Sequence, residues 1–388
     1  MSALRWTLAA LVLLAALVVV SLSAEPGTWR DTAHWARGFR DTSAARAATC
    51  PVLIGKPLSG NPRPTYEKLG QLVMALDASE RDQLHAFAVH HSEDSEQALA
   101  LVAKLPADAL NALRQLARMD GKMYAPANLG SRDVALFGDQ LVLFDALLAV
   151  ARYASTEQER IYAWLDVVAC GWDLAGAEVP LQTLVGLMEV GRAMEVADDE
   201  WLMTLSPDSL RELSEALAKV DAATPVCFDL ETVIADLVLL VDEADELQPG
   251  DIGLRSIYQS WQNAFSIEDE AIERVSRTVD QVRTFLDATP SSEGWASRSA
   301  RLQRLVKDDE QCNTDLMASY LNYVFAGELS RRECVANLRL LRMAAGKRLG
   351  EDLILPDPLG DGPLGVEDRD DYARFFSAGG IDRRVDRR

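Results

Sequence analysis

From about residue 66 to residue 350 the apolar residues recur with the period of a helix, and this patterning constrains the fold more than any other feature of the chain. In the stretch 209–220, SLRELSEALAKV, residues Leu210, Leu213, Leu217 and Val220 fall at i, i+3, i+7 and i+10, on one helical face. Ser206 and Pro207 ahead of it are a cap and a first helical position. Thr156 and Glu159 have capping-box spacing before IYAWLDVVACGW, and Pro180 opens a helix through LQTLVGLMEVGRAMEVA. Ile272, Val275, Val279, Val282 and Leu286 form a two-heptad seam, too short for a freestanding coiled coil and therefore a core-facing stripe in a bundle. About ten helices are expected, joined at the Pro and Gly clusters 105–107, 121–131, 205–207, 248–253 and 289–294. Two of them, over about 312–326 and 330–347, would form a hairpin turning near 327 or 328. No fixed-period repeat and no useful strand-period segment precedes residue 350. The expected fold is mainly α: an irregular multi-helix array or bundle behind an N-terminal membrane helix, ending in a short Pro/Gly-rich, non-helical, turn-rich tail over 351–388 that reads from Leu353 as a loop with short strands.

With 388 residues the chain has room for two to three domains or one long helical array. The helical domain, 66–350, could subdivide near 205 or 250. The 39 basic and 60 acidic residues leave a formal charge of −21, which excludes nucleic acid as a partner, because that affinity rests on Lys and Arg neutralising phosphates. A hydrophobic share of 48% with 26% charged residues fits a globular protein and neither a disordered nor a multi-pass membrane chain.

Residues Trp6 to Leu22 form a continuous apolar run, WTLAALVLLAALVVVSL, behind Arg5 and the amino terminus, which reads as an export signal. Its 17 residues are short for a spanning helix and long for a cleaved signal core. Residues 1–24 are therefore a signal anchor or a signal peptide, with Ser21 and Ser23 as the small residues cleavage would need. Both place the following chain outside the cytoplasm: on the periplasmic face of the inner membrane, or soluble in the periplasm or secreted. Residues 25–65, marked by Pro26, Pro51, Pro57, Pro62 and Pro64, read as an extended stalk or cover segment.

Of the five cysteines, Cys50, Cys170, Cys227, Cys312 and Cys334, an odd one must remain unpaired or bond between chains, and spacing gives no pairing. Cys170, inside AWLDVVACGW, reads as a small core residue. On the expected hairpin, Cys312 and Cys334 would be offset by roughly 12 Å, too far for a disulfide.

Neither a catalytic motif nor a cofactor signature occurs: no H-E-x-x-H, paired C-x-x-C, G-x-S-x-G or phosphate loop. His85, His90 and His91 share one expected helix, but His90 points about 140° and His91 about 120° away from His85, so they cannot converge on one metal and read as surface histidines. Asp242, Glu243, Asp245 and Glu246 crowd a helix C-terminus, where negative charge is disfavoured, and read as a solvated or arginine-paired face. The eight tryptophans form no visible cluster and read as core.

The segment DPLGDGPLGVED, 357–368, can be laid over a calcium loop with Asp357 at position 1, Asp361 at 5, Gly362 at 6, Leu364 at 8 and Asp368 at 12. Leu359 at position 3 supplies no side-chain oxygen, Asp368 is shorter than the usual Glu, and Pro356 and Pro358 stop a helix from entering. The expected role is a structural turn whose aspartates cap backbone N–H groups, with Phe375 and Phe376 packing the tail onto the helical body. No metal site, cofactor or catalytic residue is assigned.

The stretch LAGAEVPLQTLVGLMEVGRAME and the ending PDPLGDGPLGVEDRDDYARFFSAGG resemble a family of uncharacterised exported helical proteins of Gram-negative bacteria. Its members end in a D-P-x-x-G-x-P-L element, matched here by Asp357, Pro358, Gly360 or Gly362, Pro363 and Leu364. Phe376, Ser377 and Gly379 approximate the turn that follows. Val366 stands in place of the family's aromatic residue, and the tail is Arg-rich instead of acidic. The ending also looks like that of secretion-pathway pseudopilins, whose N-terminal cleavage site and helix Glu this chain lacks. The resemblance implies an envelope location and a helical body and carries over no site residues. The expected function is a non-enzymatic, membrane-associated periplasmic scaffold or binding module with an envelope protein partner; the alternative is a periplasmic hydrolase with unrecognised site residues.

Overall fold

A computed structural model describes residues 76–90, 94–119, 137–176, 180–223 and 315–386, together with 52–53, 55–60 and single positions at 34, 65, 69, 297, 299 and 300. The chain divides into two compact units, one of 1–43, 230–248 and 253–288, the other of 44–229, 249–252 and 289–388. Apart from His34, every described residue belongs to the second unit. The apolar run 6–22, Cys50, Cys227, Cys312, the acidic stretch 242–246 and the seam 272–286 lie outside the described residues.

Nine helices and one small sheet are described. They are α1 (Ala78–Val89), α2 (Ser95–Lys104), α3 (Ala107–Leu116), α4 (Phe137–Tyr153), α5 (Glu157–Ala175), α6 (Pro180–Val196), α7 (Asp199–Met203), α8 (Pro207–Ala222) and α9 (Asp315–Arg348), followed by β1 (Gly365–Asp368), β2 (Tyr372–Phe376) and β3 (Asp382–Asp386). The fold is mainly helical, as the periodicity requires. Among the described residues no helix is long and apolar enough to cross a membrane.

Local chemistry starts the helices where the sequence places it. Ser206 Oγ accepts from Ser209 N with Pro207 at the first position, and all four apolar residues of that stripe, Leu210, Leu213, Leu217 and Val220, are buried. Thr156 caps α5 by accepting from Glu159 N, and its hydroxyl donates to Glu159 Oε2 at 3.0 Å.

Helix α5 is the hub. It is buried from Trp164 through Trp172 and packs against α4, α6 and α8, while α9 lies along α6 and α8. Trp164 Nε1 donates to Ala193 O at 2.6 Å and Trp201 Nε1 to Ala151 O at 2.8 Å, so these buried indoles satisfy their N–H groups on neighbouring helices. Where α5 crosses α6, glycine meets glycine: a Cβ on Gly186 would lie 2.4 Å from Gly171 O and 2.3 Å from Ala175 N.

The hairpin expected near 327 does not form, and α9 runs unbroken from Asp315 to Arg348 over 34 residues. Gly327 alone is a weak stop, costing only about 1 kcal/mol against Ala in a helix interior. Directly after it, Glu328 takes Arg331 at 2.7 Å and Arg332 at 2.8 Å, i,i+3 and i,i+4 pairs that stitch the helix across the expected turn. The offset reasoned for Cys312 and Cys334 therefore loses its basis; Cys334 is a buried free thiol on α9. The helix ends instead at Gly350, which has φ +79°, with Glu351 N donating to Gly346 O and Gly350 N to Lys347 O, a Schellman turn.

The tail is more ordered than a turn-rich segment. Its strands form an antiparallel meander, β1-β2-β3, with Val366 opposite Phe375 and Arg374 opposite Arg384. Ala373, Phe375 and Val385 are buried on the inner face, and β2 and β3 pack on α9. Phe376, one residue on, points to the other face because strand side chains alternate. There it is 38% exposed and covers Gly365, where a Cβ would meet its ring at 2.3 Å, so of the two phenylalanines only Phe375 is buried on the inner face. Arginines complete the attachment: Arg332 donates to Pro358 O at 2.7 Å, Arg339 to Pro356 O at 2.8 Å, and Arg383 to Met194 O and Ala197 O at the C-terminal end of α6. Burial pushes the Arg383 guanidinium down to about 10 against the pull of Asp198 and Asp199.

Candidate functional site

Two helices bring buried carboxylates to one place, and a third closes the group at the surface. Asp145 sits in the apolar stretch of α4 and is 5% exposed, and Glu189 of α6 is fully buried. Arg192 follows Glu189 by three residues and so shares its helix face. His85 of α1 closes the group at the surface, its side chain 58% exposed. Arg192 Nη1 donates to Glu189 Oε1 at 3.0 Å and Oε2 at 2.9 Å, while Nη2 donates to Asp145 Oδ1. His85 Nδ1 lies 3.3 Å from Asp145 Oδ1 and 3.3 Å from Arg192 Nη2.

One guanidinium thus serves two buried carboxylates. Glu189 is the more deeply buried of them: burial, opposed by Arg192 and helped by Asp145, pushes its pKa up to about 7. Pairing with both carboxylates raises Arg192, although desolvation opposes this. Chemically the group offers a solvent-facing imidazole held by a buried aspartate, beside a cation.

A third buried carboxylate, Asp166 of α5, faces Arg114 of α3 at 3.8 Å. Its burial raises its pKa to about 7 against the opposing charges of Arg118 and Arg114, and its Oδ1 has no hydrogen-bond partner. An open cleft of about 470 Å³ lies on the other side of α6, against α9 and β3, lined by Glu195, Asp198, Asp199, Asn337, Asp382 and Arg384 among others.

The three aspartates of the calcium-like loop do not form a site together. Asp357 is buried, and its carboxylate accepts from Leu359 N at 2.9 Å, Ser377 Oγ at 2.7 Å and Ala378 N at 2.6 Å. Asp361 is exposed, and Asp368 lies on β1, 3.4 Å from Lys347 Nζ. Among the described residues no group of three or more His, Cys, Asp or Glu side chains is arranged to hold a metal. With the Asp357 carboxylate taken up by three hydrogen bonds, calcium titration by calorimetry should give no saturable heat from this loop in the tens of micromolar range of sensor sites. A one-to-one isotherm abolished by Asp357→Ala would reverse this assignment.

Cys170 lies in the core, its thiol donating to Leu113 O at 3.5 Å, and the Cys334 thiol, donating to Leu187 O, is pushed up to about 12 by burial and Glu333. Both are poor nucleophiles. His90 caps the end of α1, and His91 lies outside the described residues. Periodicity placed His85 on a surface, which the imidazole does reach, but not its partners on α4 and α6. The available signal was a lone acid inside an apolar helical stretch, as in VLFDALLAV and VGLMEVGRAM.

No protein-family model, no curated protein and no solved structure matches this chain.

Proposed function

We propose that this chain is an exported, membrane-associated helical scaffold or binding module of the bacterial envelope, held at the periplasmic face of the inner membrane through residues 6–22 or released after cleavage. The observation that carries the binding role is the open cleft between α6, α9 and β3, whose carboxylates sit at the surface while the deeply buried charges of α4 and α6 are consumed by one another. An open, charged concavity between packed helices suits a protein or peptide surface better than a small reactive substrate, which is usually enclosed. The export run and the resemblance of the ending to exported helical proteins support the location.

Two measurements test this reading. A reporter enzyme that is active only outside the cytoplasm, fused after residue 50, should be active; activity of a cytoplasm-dependent reporter at the same junction would refute export. A photo-crosslinking residue at Glu195, inside the cleft, should give a discrete adduct in intact cells that Asp382→Lys removes, whereas one at the exposed Arg211 of α8 should not. Equal labelling from both positions would contradict the cleft as the binding surface.

A hydrolase is the second reading, favoured by one observation: His85 against buried Asp145 is the pairing of a base with its orienting carboxylate. Ester hydrolysis by the purified chain that His85→Asn abolishes would establish it.

A further inference from the structure

We infer that the cleft between α6, α9 and β3 takes an extended peptide segment with lysine or arginine at alternate positions, which adds to the sheet as a fourth strand along the free edge of β3 at Asp382 and Arg384, a mode of recognition that rests on the cleft being the binding surface. The register of the sheet decides which backbone groups face the cleft. Ser377 N donates to Ile381 O at 2.8 Å, so a hydrogen-bonded pair lies at the turn between β2 and β3. Bonded and non-bonded pairs alternate along an antiparallel ladder. Phe375 with Arg383 and Ala373 with Val385 are therefore bonded pairs, while Phe376 with Asp382, Arg374 with Arg384 and Tyr372 with Asp386 are not. The other side of β2 agrees, since Arg369 N donates to Tyr372 O at 2.9 Å and so places the groups of Tyr372, Arg374 and Phe376 toward β1. On β3, the last strand of the described sheet, the N–H and C=O of Asp382, Arg384 and Asp386 thus point away from β2.

A side chain already answers one of these residues. Asp386 N donates to Asp199 Oδ2 at 3.2 Å, which closes the edge at that end. Asp382 and Arg384 are exposed and line the cleft, and among the described residues their outward N–H and C=O groups have no hydrogen-bond partner. A row of unpaired donors and acceptors beside an open concavity is a template to which an extended chain adds. Across the cleft, Gly191 of α6 leaves room, with nothing within 4 Å of its Cβ position.

The side chains set the chemistry of the occupant. Arg383 shows where the inward positions of β3 lead: its guanidinium donates to Met194 O and Ala197 O at the C-terminal end of α6. A side chain on the same face of an added strand points the same way, toward Glu195 and Asp198. Asp199 is taken by Arg348 and Asp382 by Arg374, whereas Glu195, exposed on the wall, has no ion pair among the described residues. Asp198 uses Oδ1 to accept from Trp201 N. The carbonyls at the helix end add to this negative potential. Because inward positions recur every second residue, the cations of the occupant fall at i and i+2.

Full-length protein panned against a displayed library of random decapeptides should return peptides with lysine or arginine at alternate positions. Arg384→Pro removes an outward N–H that the ladder with β2 does not use, a position where an edge strand tolerates proline, and Arg384→Ala keeps that N–H. A selected peptide, made synthetically, should bind Arg384→Pro about tenfold more weakly than Arg384→Ala. N-methylation of its pairing residue, which leaves the protein untouched, should weaken binding similarly, and the unmodified peptide should slow amide exchange at Asp382 and Arg384. A selection that yields no such peptide, or binding equal in the two variants and indifferent to N-methylation, would overturn strand addition. Binding lost in Glu195→Lys yet equal in the two Arg384 variants would overturn it while leaving the cleft as the binding surface; absence of both a selected peptide and a Glu195 crosslink would remove the cleft as well.

Discussion

Replacing Arg192 by alanine is expected to cost about 3–5 kcal/mol of folding stability, the range for removing one partner from buried ion pairs. Asp145 and Glu189 would then face each other inside the bundle with no cation, and Arg192 is the residue through which α6 holds α4. Chemical denaturation at pH 8 reads this directly. The companion Arg192→Met, Glu189→Gln, which fills the site and removes one of the stranded charges, should recover part of the loss. A single variant as stable as wild type would mean that the carboxylates find other partners.

A comparable loss is expected at the α5–α6 crossing. Gly186→Ala puts a Cβ 2.3 Å from Ala175 N and 2.4 Å from Gly171 O, backbone atoms that cannot rotate aside, so the helices must separate. Overpacking of this kind costs about 3 kcal/mol. Gly191→Ala on the same helix is the control: nothing lies within 4 Å of its Cβ position. There the helix propensity of alanine should dominate and stabilise by about 0.5–1 kcal/mol. Opposite signs at two glycines five residues apart, measured by thermal melting, would confirm that backbone contact sets the crossing.

Much of the helical body was legible because its signals are local. Ser206, Pro207 and the stripe Leu210 to Val220 specify α8 within one stretch of chain, and Pro180 marks the start of α6. The continuous α9 was misread because Gly327 looks like a boundary until Glu328 is seen to bind two arginines on the same helix. Short strands in the tail were legible, but at four and five residues they are too short for a period of two to give their pairing into a sheet. The role of Asp357 was half visible: its bond to Leu359 N is a local turn, but Ser377 and Ala378 reach it from 20 and 21 residues further on. The charge cluster was invisible, since periodicity gives the buried face of each helix and not which faces meet. His85, Asp145 and Arg192 are 60 and 107 residues apart along the chain, counted from His85.

The most direct measurement compares the pH dependence of unfolding in wild type and Glu189→Gln. The folded-state pKa of Glu189 is raised, from 4.5 to about 7, so the folded chain binds a proton that the unfolded chain has released between those values. Its contribution is therefore fully favourable below pH 4.5 and is lost as pH rises through 7. The overall negative charge pushes in the same direction in both proteins, so the difference between them isolates Glu189. Between pH 8 and pH 5.5 wild type should gain about 2 kcal/mol more stability than Glu189→Gln. Parallel curves, or a wild type that loses stability relative to the variant on acidification, would show that Glu189 is ionised and fully paired in the fold, contradicting one guanidinium shared between two buried carboxylates.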